Sequence, residues 1–145
     1  QPPPRAIPSY LVAMARFAAH RRVLRVVTDG AEAPLPSGLV RVSPRSDRVG
    51  VRLECRASIA APAPLAHSRG VIHGTIQMPS SSELVILGPD GPTTGGYPTV
   101  GTVIAADLPA VGQLAPGQWV RFEKVSIEAA RGVLHTQNEM IARIH

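Results

Sequence analysis

Apolar and polar residues alternate in short runs along most of the chain, and Pro, Gly and Ser separate the runs. Val23-Leu24-Arg25-Val26-Val27 is rich in β-branched residues and stops at Asp29-Gly30, which predicts a strand. Leu39-Val40-Arg41-Val42 predicts a second. Val49 to Glu54 predicts a third, with Val49, Val51 and Leu53 on one face and Arg52 and Glu54 on the other. Val71 to Gln77 reads as a strand with a glycine in it, a residue that marks a bulge or a close backbone approach. Leu84 to Leu87 and Val100 to Ala105 follow as apolar strands. Asp107-Leu108-Pro109 opens a short helical turn. Trp119 to Glu123 alternates again, after the turn signal Pro116-Gly117.

The pattern changes period at both ends. Residues 1 to 9 hold four prolines and predict an extended lead-in. Tyr10 to His20 predicts a short amphipathic helix, with Ser9 as N-cap and Tyr10, Met14 and Phe17 on one face. Ser126 to Ile144 predicts a longer helix, capped by Ser126, with Glu128 in its first turn and Arg143 and His145 at its C-terminal end. Val133, Gln137, Ile141 and Ile144 form its stripe, weakened by Gly132. The expected organisation is residues 1–22 as linker and short helix, 23–125 as one domain, and 126–145 as a C-terminal helix. About seven short strands with Pro/Gly turns predict an all-β barrel or sandwich. No βαβ alternation supports a doubly wound nucleotide fold.

Composition narrows this little. At 145 residues the chain suffices for one core, and 44% hydrophobic content excludes wholesale disorder. No apolar run approaches the roughly 20 residues of a membrane span, so no membrane partner is expected. Gln1-Pro2-Pro3-Pro4 lacks the regions of a signal peptide, and the absent initiator Met predicts a processed or trimmed chain. The single cysteine, Cys55, excludes an internal disulfide framework and suits a reducing cytoplasm. Net charge is +5, but the arginines are scattered and aromatics are only 3%, too few for a base-stacking platform. Nucleic acid is not an expected partner. His67 and His73 have no Cys or carboxylate at metal-ligand spacing, so no metal site is expected.

Candidate chemistry concentrates in Gly91-Pro92-Thr93-Thr94-Gly95-Gly96-Tyr97-Pro98. Glycines let a ligand approach the backbone, paired hydroxyls donate and accept, and a phenol adds a flat face with a polar tip. An ordinary connection between strands remains the alternative.

Three blocks resemble one family, allophanate hydrolase subunit 2, whose relatives include the carboxyltransferase region of urea carboxylase and the C subunit of 5-oxoprolinase. They are Ser43 to Glu54, Ser68 to Pro79, and Thr93 through Tyr97-Pro98 and Gly101 to Leu108 to Pro116-Gly117. The resemblance spans roughly residues 21–125. It implies a cyclophilin-like β-barrel, a companion barrel subunit, and action on an amide-like carbon–nitrogen bond in 5-oxoproline, allophanate or urea. It implies ATP in the assembled complex and leaves room for biotin. Family members are longer, with an N-terminal half that has its own glycine-rich motif. The chain is therefore expected to be the C-terminal part of a member, a partial barrel with unpaired edges.

Carried onto this sequence, the resemblance makes Thr94, Tyr97 and Asp107 catalytic candidates. Arg48, Gln77, Thr93, Gly95 and Gly96 become substrate-binding candidates. Backbone N–H groups of Gly95 and Gly96 with the threonine hydroxyls can serve a developing oxyanion. Arg48 can hold a carboxylate or phosphate, and Gln77 can recognise an amide. The plainer roles are a helical-turn cap for Asp107 and a surface ion pair for Arg48. Pro92 stands where the family has Gln or Asn, and Arg69 where an acid is common. Both favour the alternative, a non-catalytic regulatory partner of a kinase-inhibitor-like barrel.

Overall fold

A computed structural model describes residues 23–30, 33–60, 62–63 and 65–144. The expected helix at Tyr10–His20 and the linker of residues 1–22 lie outside the described residues. Strands are β1 Val23–Thr28, β2 Val40–Val42, β3 Gly50–Cys55, β4 Arg69–Gly70, β5 Thr75–Ser80, β6 Glu83–Leu87, β7 Thr94–Gly95, β8 Thr99–Val103 and β9 Trp119–Lys124. A 3-10 turn, Ala105–Asp107, runs into α1, Leu108–Val111; α2 is Ile127–Ala142.

Seven strands close into a barrel in the order β1-β8-β5-β6-β3-β2-β9. All neighbours are antiparallel except β1 and β9, whose parallel pairing from Val23↔Arg121 to Val26↔Lys124 completes the ring. The expectation of a partial barrel with unpaired edges is therefore corrected. β9 lies between β1 and β2, and a closed ring has no edge to protect.

Alternation explains the interior. Leu24 and Val26 of β1, Leu53 of β3 and Val120 of β9 are fully buried. Their neighbours Arg121 and Glu54 face solvent. Gly101 of β8 lets two walls approach: a Cβ there would stand 2.6 Å from the Val27 carbonyl oxygen and 2.8 Å from Val26 Cγ1.

The expected strand Val71–Gln77 divides in two. Gly74 takes φ +90°, a conformation L side chains rarely adopt, and the chain turns there. The Gly74 N–H donates to the Leu87 carbonyl, and its own carbonyl accepts from Val103 N–H, both at 2.9 Å. Upstream of the turn, β4 leaves the barrel wall and pairs with β7 as a separate two-stranded ribbon, Arg69↔Gly95 and Gly70↔Thr94.

Helix α2 begins as the sequence predicts. Ser126 Oγ accepts from Ala129 N–H at 3.1 Å, and Glu128 sits in the first turn. No residue of this helix is fully buried. It lies on the barrel over a hollow of about 290 Å³ lined by Val27, Leu108, Ala130 and Leu134 among others. A second hollow, about 730 Å³, lies between residues 34–40 and 55–60.

Candidate functional site

The β4–β7 ribbon forms a strap over the outer face of β5 and β6. Val71 N–H donates to the Thr93 carbonyl at 3.0 Å, and Met78 N–H to the Pro98 carbonyl at 2.9 Å, fixing both ends of the strap. Beneath it Val71, Val85 and Leu87 make a small apolar cluster apart from the barrel core. On β5, Ile76 and Met78 point into the barrel core, and Gln77 lies on the opposite side, under the strap.

Gln77 is 5% exposed, and its Nε2 has no hydrogen-bond partner among the described residues. An unsatisfied buried donor costs about 1–3 kcal/mol. This amide nitrogen occupies the space where a side chain at position 95 would begin, so Gly95 must be glycine for Gln77 to stay where it is. Both residues are candidates from the sequence alone. Their juxtaposition follows from the strap crossing the barrel, which no local pattern encodes.

The other strap residues face water. Thr93, Thr94 and Gly96 are exposed, and Tyr97 is 54% exposed. Gly95 directs its missing side chain toward the barrel, so Thr94, next along the strand, directs its hydroxyl away from it. The hollows under α2 and between residues 34–40 and 55–60 are lined by other segments. Thr93, Thr94 and Tyr97 thus line neither of these two hollows.

Asp107 and Arg48 stand apart from this arrangement. Asp107 is 1% exposed and accepts three hydrogen bonds from Arg25: backbone N–H at 2.9 Å, Nε at 2.9 Å and Nη2 at 2.5 Å. The hydrogen bond to Asp107 is the main reason the Arg25 guanidinium is held above its ordinary pKa. This pair fastens the 3-10 turn to β1. Asp107 makes no side-chain cap bond to α1, so the cap role expected as its plainer reading is replaced by this clasp. Arg48, 81% exposed, pairs with Asp90 at 2.6 Å and so takes the surface-pair role. Asp47 closes its own turn, accepting from Val49 and Gly50 N–H groups. Cys55 is half-buried against the core, and burial pushes its thiol pKa up, which keeps the nucleophilic thiolate scarce.

Three residues around Gln77 and the strap, Arg69, Asp29 and Thr99, were not among the site candidates. Arg69 is paired with Gly95 across the ribbon, and paired residues share a face, so its side chain leaves on the barrel side. Its Nη1 lies 3.4 Å from Asp29 Oδ2, which also accepts from the Thr99 hydroxyl. Thr99 in turn pairs with Gln77 between β8 and β5. Asp29 looks like a strand terminator in sequence; the pairing of β1 with β8 brings it to the strap. No group of three or more His, Cys, Asp and Glu able to hold a metal occurs among the described residues.

The defining pattern of the carboxyltransferase domain, subdomain A and B, matches residues 17–124. The 5-oxoprolinase C subunit of Haemophilus influenzae is 38% identical over 96 residues, covering 66% of this chain and 30% of that protein. The same subunit of Escherichia coli is 32% identical over 90 residues, covering 62% and 29%. The crystal structure of the K. lactis urea amidolyase superposes with a TM-score of 0.71 at 26% identity, covering 86% of this chain and 9% of that one. The chain spans about 30% of the length of the two 5-oxoprolinase subunits. With more than half of its residues inside the matched pattern and a barrel of the same kind, it belongs to the carboxyltransferase-domain family, subdomains A and B.

Proposed function

We propose that this chain is part of a subunit of an ATP-dependent amidohydrolase or carboxyltransferase complex of the 5-oxoprolinase type, acting on an amide-like carbon–nitrogen bond. The observation that carries the reading is the unpartnered, buried carboxamide of Gln77 beneath a Thr–Thr–Gly–Gly–Tyr strap. A donor held dry and without an acceptor suits a carbonyl oxygen that gains charge during reaction. The Thr93 and Thr94 hydroxyls offer further donors on the exposed side of the strap, and Tyr97 offers a face for a flat ligand. The two relatives named as the 5-oxoprolinase C subunit support the choice of reaction.

The cofactors divide by chemistry. Gln77 Nε2 suits the ureido carbonyl of biotin, which a carboxyltransferase would use as carbon dioxide carrier. ATP fits the strap poorly, because its arginine is tied to Asp29 and the single lysine, Lys124, lies on β9. We assign ATP to a companion subunit, and the assembled complex to the cytoplasm.

The test is turnover of 5-oxoproline, allophanate or urea by the full-length protein with its partner subunits and ATP. The reading expects Thr94→Val and Tyr97→Phe to lower turnover at least tenfold, the size of one lost transition-state hydrogen bond. Unchanged turnover in both removes the strap from the mechanism. A second reading, a non-catalytic partner for another barrel, is favoured by the solvent-facing Thr94 and Tyr97. Co-purification of that barrel, with no turnover of any of the three substrates, would select it.

A further inference from the structure

The outer face of β3, β2 and β9 carries positive charge that no carboxylate takes up. Arg41 lies between the buried Val40 and Val42 and so points to solvent. It stands opposite Glu54 on β3 and Trp119 on β9, and paired positions share a face. Arg56, just past β3, lays its guanidinium over the Trp119 ring, 4.4 Å from the centroid. Arg121, two residues beyond Trp119 on β9, is exposed on the same side. Arg25, Arg45, Arg48, Arg52 and Arg69 each reach a carboxylate; Arg41, Arg56 and Arg121 reach none among the described residues. The acids nearby are largely committed. Glu123 stands across from Arg25 on β1, and Glu83 is held by Arg45 and Arg52. That leaves Glu54 to offset three arginines.

An apolar depression adjoins this charge. Leu39, two residues before Arg41, is 50% exposed, and with Arg56 it lines the hollow of about 730 Å³ between residues 34–40 and 55–60. Leu35 and Ile59 line it too and pack on the barrel core. That volume lies within the roughly 300–1,000 Å³ of pockets that take organic groups. We infer that this face docks an acidic peptide segment of a partner protein, with its carboxylates on Arg41, Arg56 and Arg121 and an aromatic anchor residue in the hollow beside Leu39. This goes beyond the functional reading above and does not depend on it. Stacking on Trp119 holds the plane of the Arg56 guanidinium and leaves its N–H edge free for a carboxylate. The arrangement suits polypeptide better than nucleic acid. A phosphate backbone needs a run of cations, and its bases need bare aromatic faces. Here Leu39 and Trp119 interrupt the arginines, Trp119 is half-buried, and Arg56 covers its ring. A peptide with Asp or Glu on either side of an aromatic residue meets both the charge and the hollow.

The experiment is calorimetric titration of the chain with three probes: poly-glutamate, a random glutamate–tyrosine copolymer, and oligothymidylate. Trp119 is the chain's single tryptophan, so its emission reports whether a probe seats on this face. Wild type should bind the copolymer more tightly than either other probe, with a shift in Trp119 emission. Arg41→Gln, Arg56→Gln and Arg121→Gln together should weaken the copolymer about tenfold, the sum of three exposed ion pairs. Arg48→Gln, Arg69→Gln and Arg131→Gln together remove the same charge elsewhere and should leave affinity within about twofold. Leu39→Gln should erase the preference for the copolymer over poly-glutamate. All these positions are exposed, and circular dichroism checks that each variant is folded. The inference is overturned if the copolymer does not bind, if it binds without moving Trp119 emission, or if both triple variants lose affinity equally. It is also overturned if poly-glutamate binds wild type as well as the copolymer does, or if oligothymidylate binds more tightly than both.

Discussion

Replacing Asp107 with Ala separates a structural carboxylate from a catalytic one. The side chain is 1% exposed and takes three hydrogen bonds from one residue, Arg25, whose own side chain is 11% exposed. Removing it strands a guanidinium in a largely dry position, and breaking such a pair from one side destabilises by about 3–5 kcal/mol. For a domain of this size, that lowers Tm by roughly 6–20 °C. Replacing both partners, as Arg25→Met with Asp107→Leu, should restore most of the loss, because well-packed apolar pairs often equal buried ion pairs. Urea denaturation of wild type, both single variants and the double variant gives the coupling energy directly. A Cm for Asp107→Ala within error of wild type, together with lost turnover, would refute the structural argument and return Asp107 to the reaction.

Three further outcomes are expected. Gln77→Met removes an unpaired buried donor and should stabilise the free protein by about 1–3 kcal/mol even as it weakens ligand binding; a lower Tm would mean the amide already has a partner. Gly101→Ala drives a methyl group against the backbone of β1 and should cost about 1–3 kcal/mol or more in chemical denaturation, whereas Gly38→Ala, with open space around it, should cost far less. Cys55 should be alkylated by iodoacetamide at pH 8 more slowly than free cysteine. Because burial raises its folded pKa, its contribution to stability is present below the ordinary thiol pKa and is lost as pH rises through the raised one; faster alkylation than free thiol would contradict this.

The barrel was legible because its strands obey a local rule. Leu24 and Val26, or Val120 and Phe122, announce an inward face by spacing alone, and Ser126 announces α2 by its hydroxyl. The errors lie where non-local pairing decides. Val71, Ile72 and Ile76 read as one apolar run, yet Val71 packs with Val85 and Leu87 outside the wall and Ile76 packs inside it. The partner of Asp107 is 82 residues away, so spacing around position 107 could only suggest a cap or a catalytic carboxylate. The strap motif was visible as a motif, but whether its hydroxyls face a hollow or water depends on the two residue pairs that join β4 to β7. Arg69 stood out from the family resemblance as an oddity; its meaning needed Gly95 across the ribbon.

The parallel seam between β1 and β9 has a consequence for synthesis. Until Trp119–Lys124 has left the ribosome, β1 has only β8 beside it and β2 only β3, so two sticky flanks stay available to neighbouring nascent chains. The keystone is laid last. Strands this far apart along the chain also meet slowly. A protease cut between α1 and β9 in the nascent domain would therefore reopen both flanks at once, rather than fray one end.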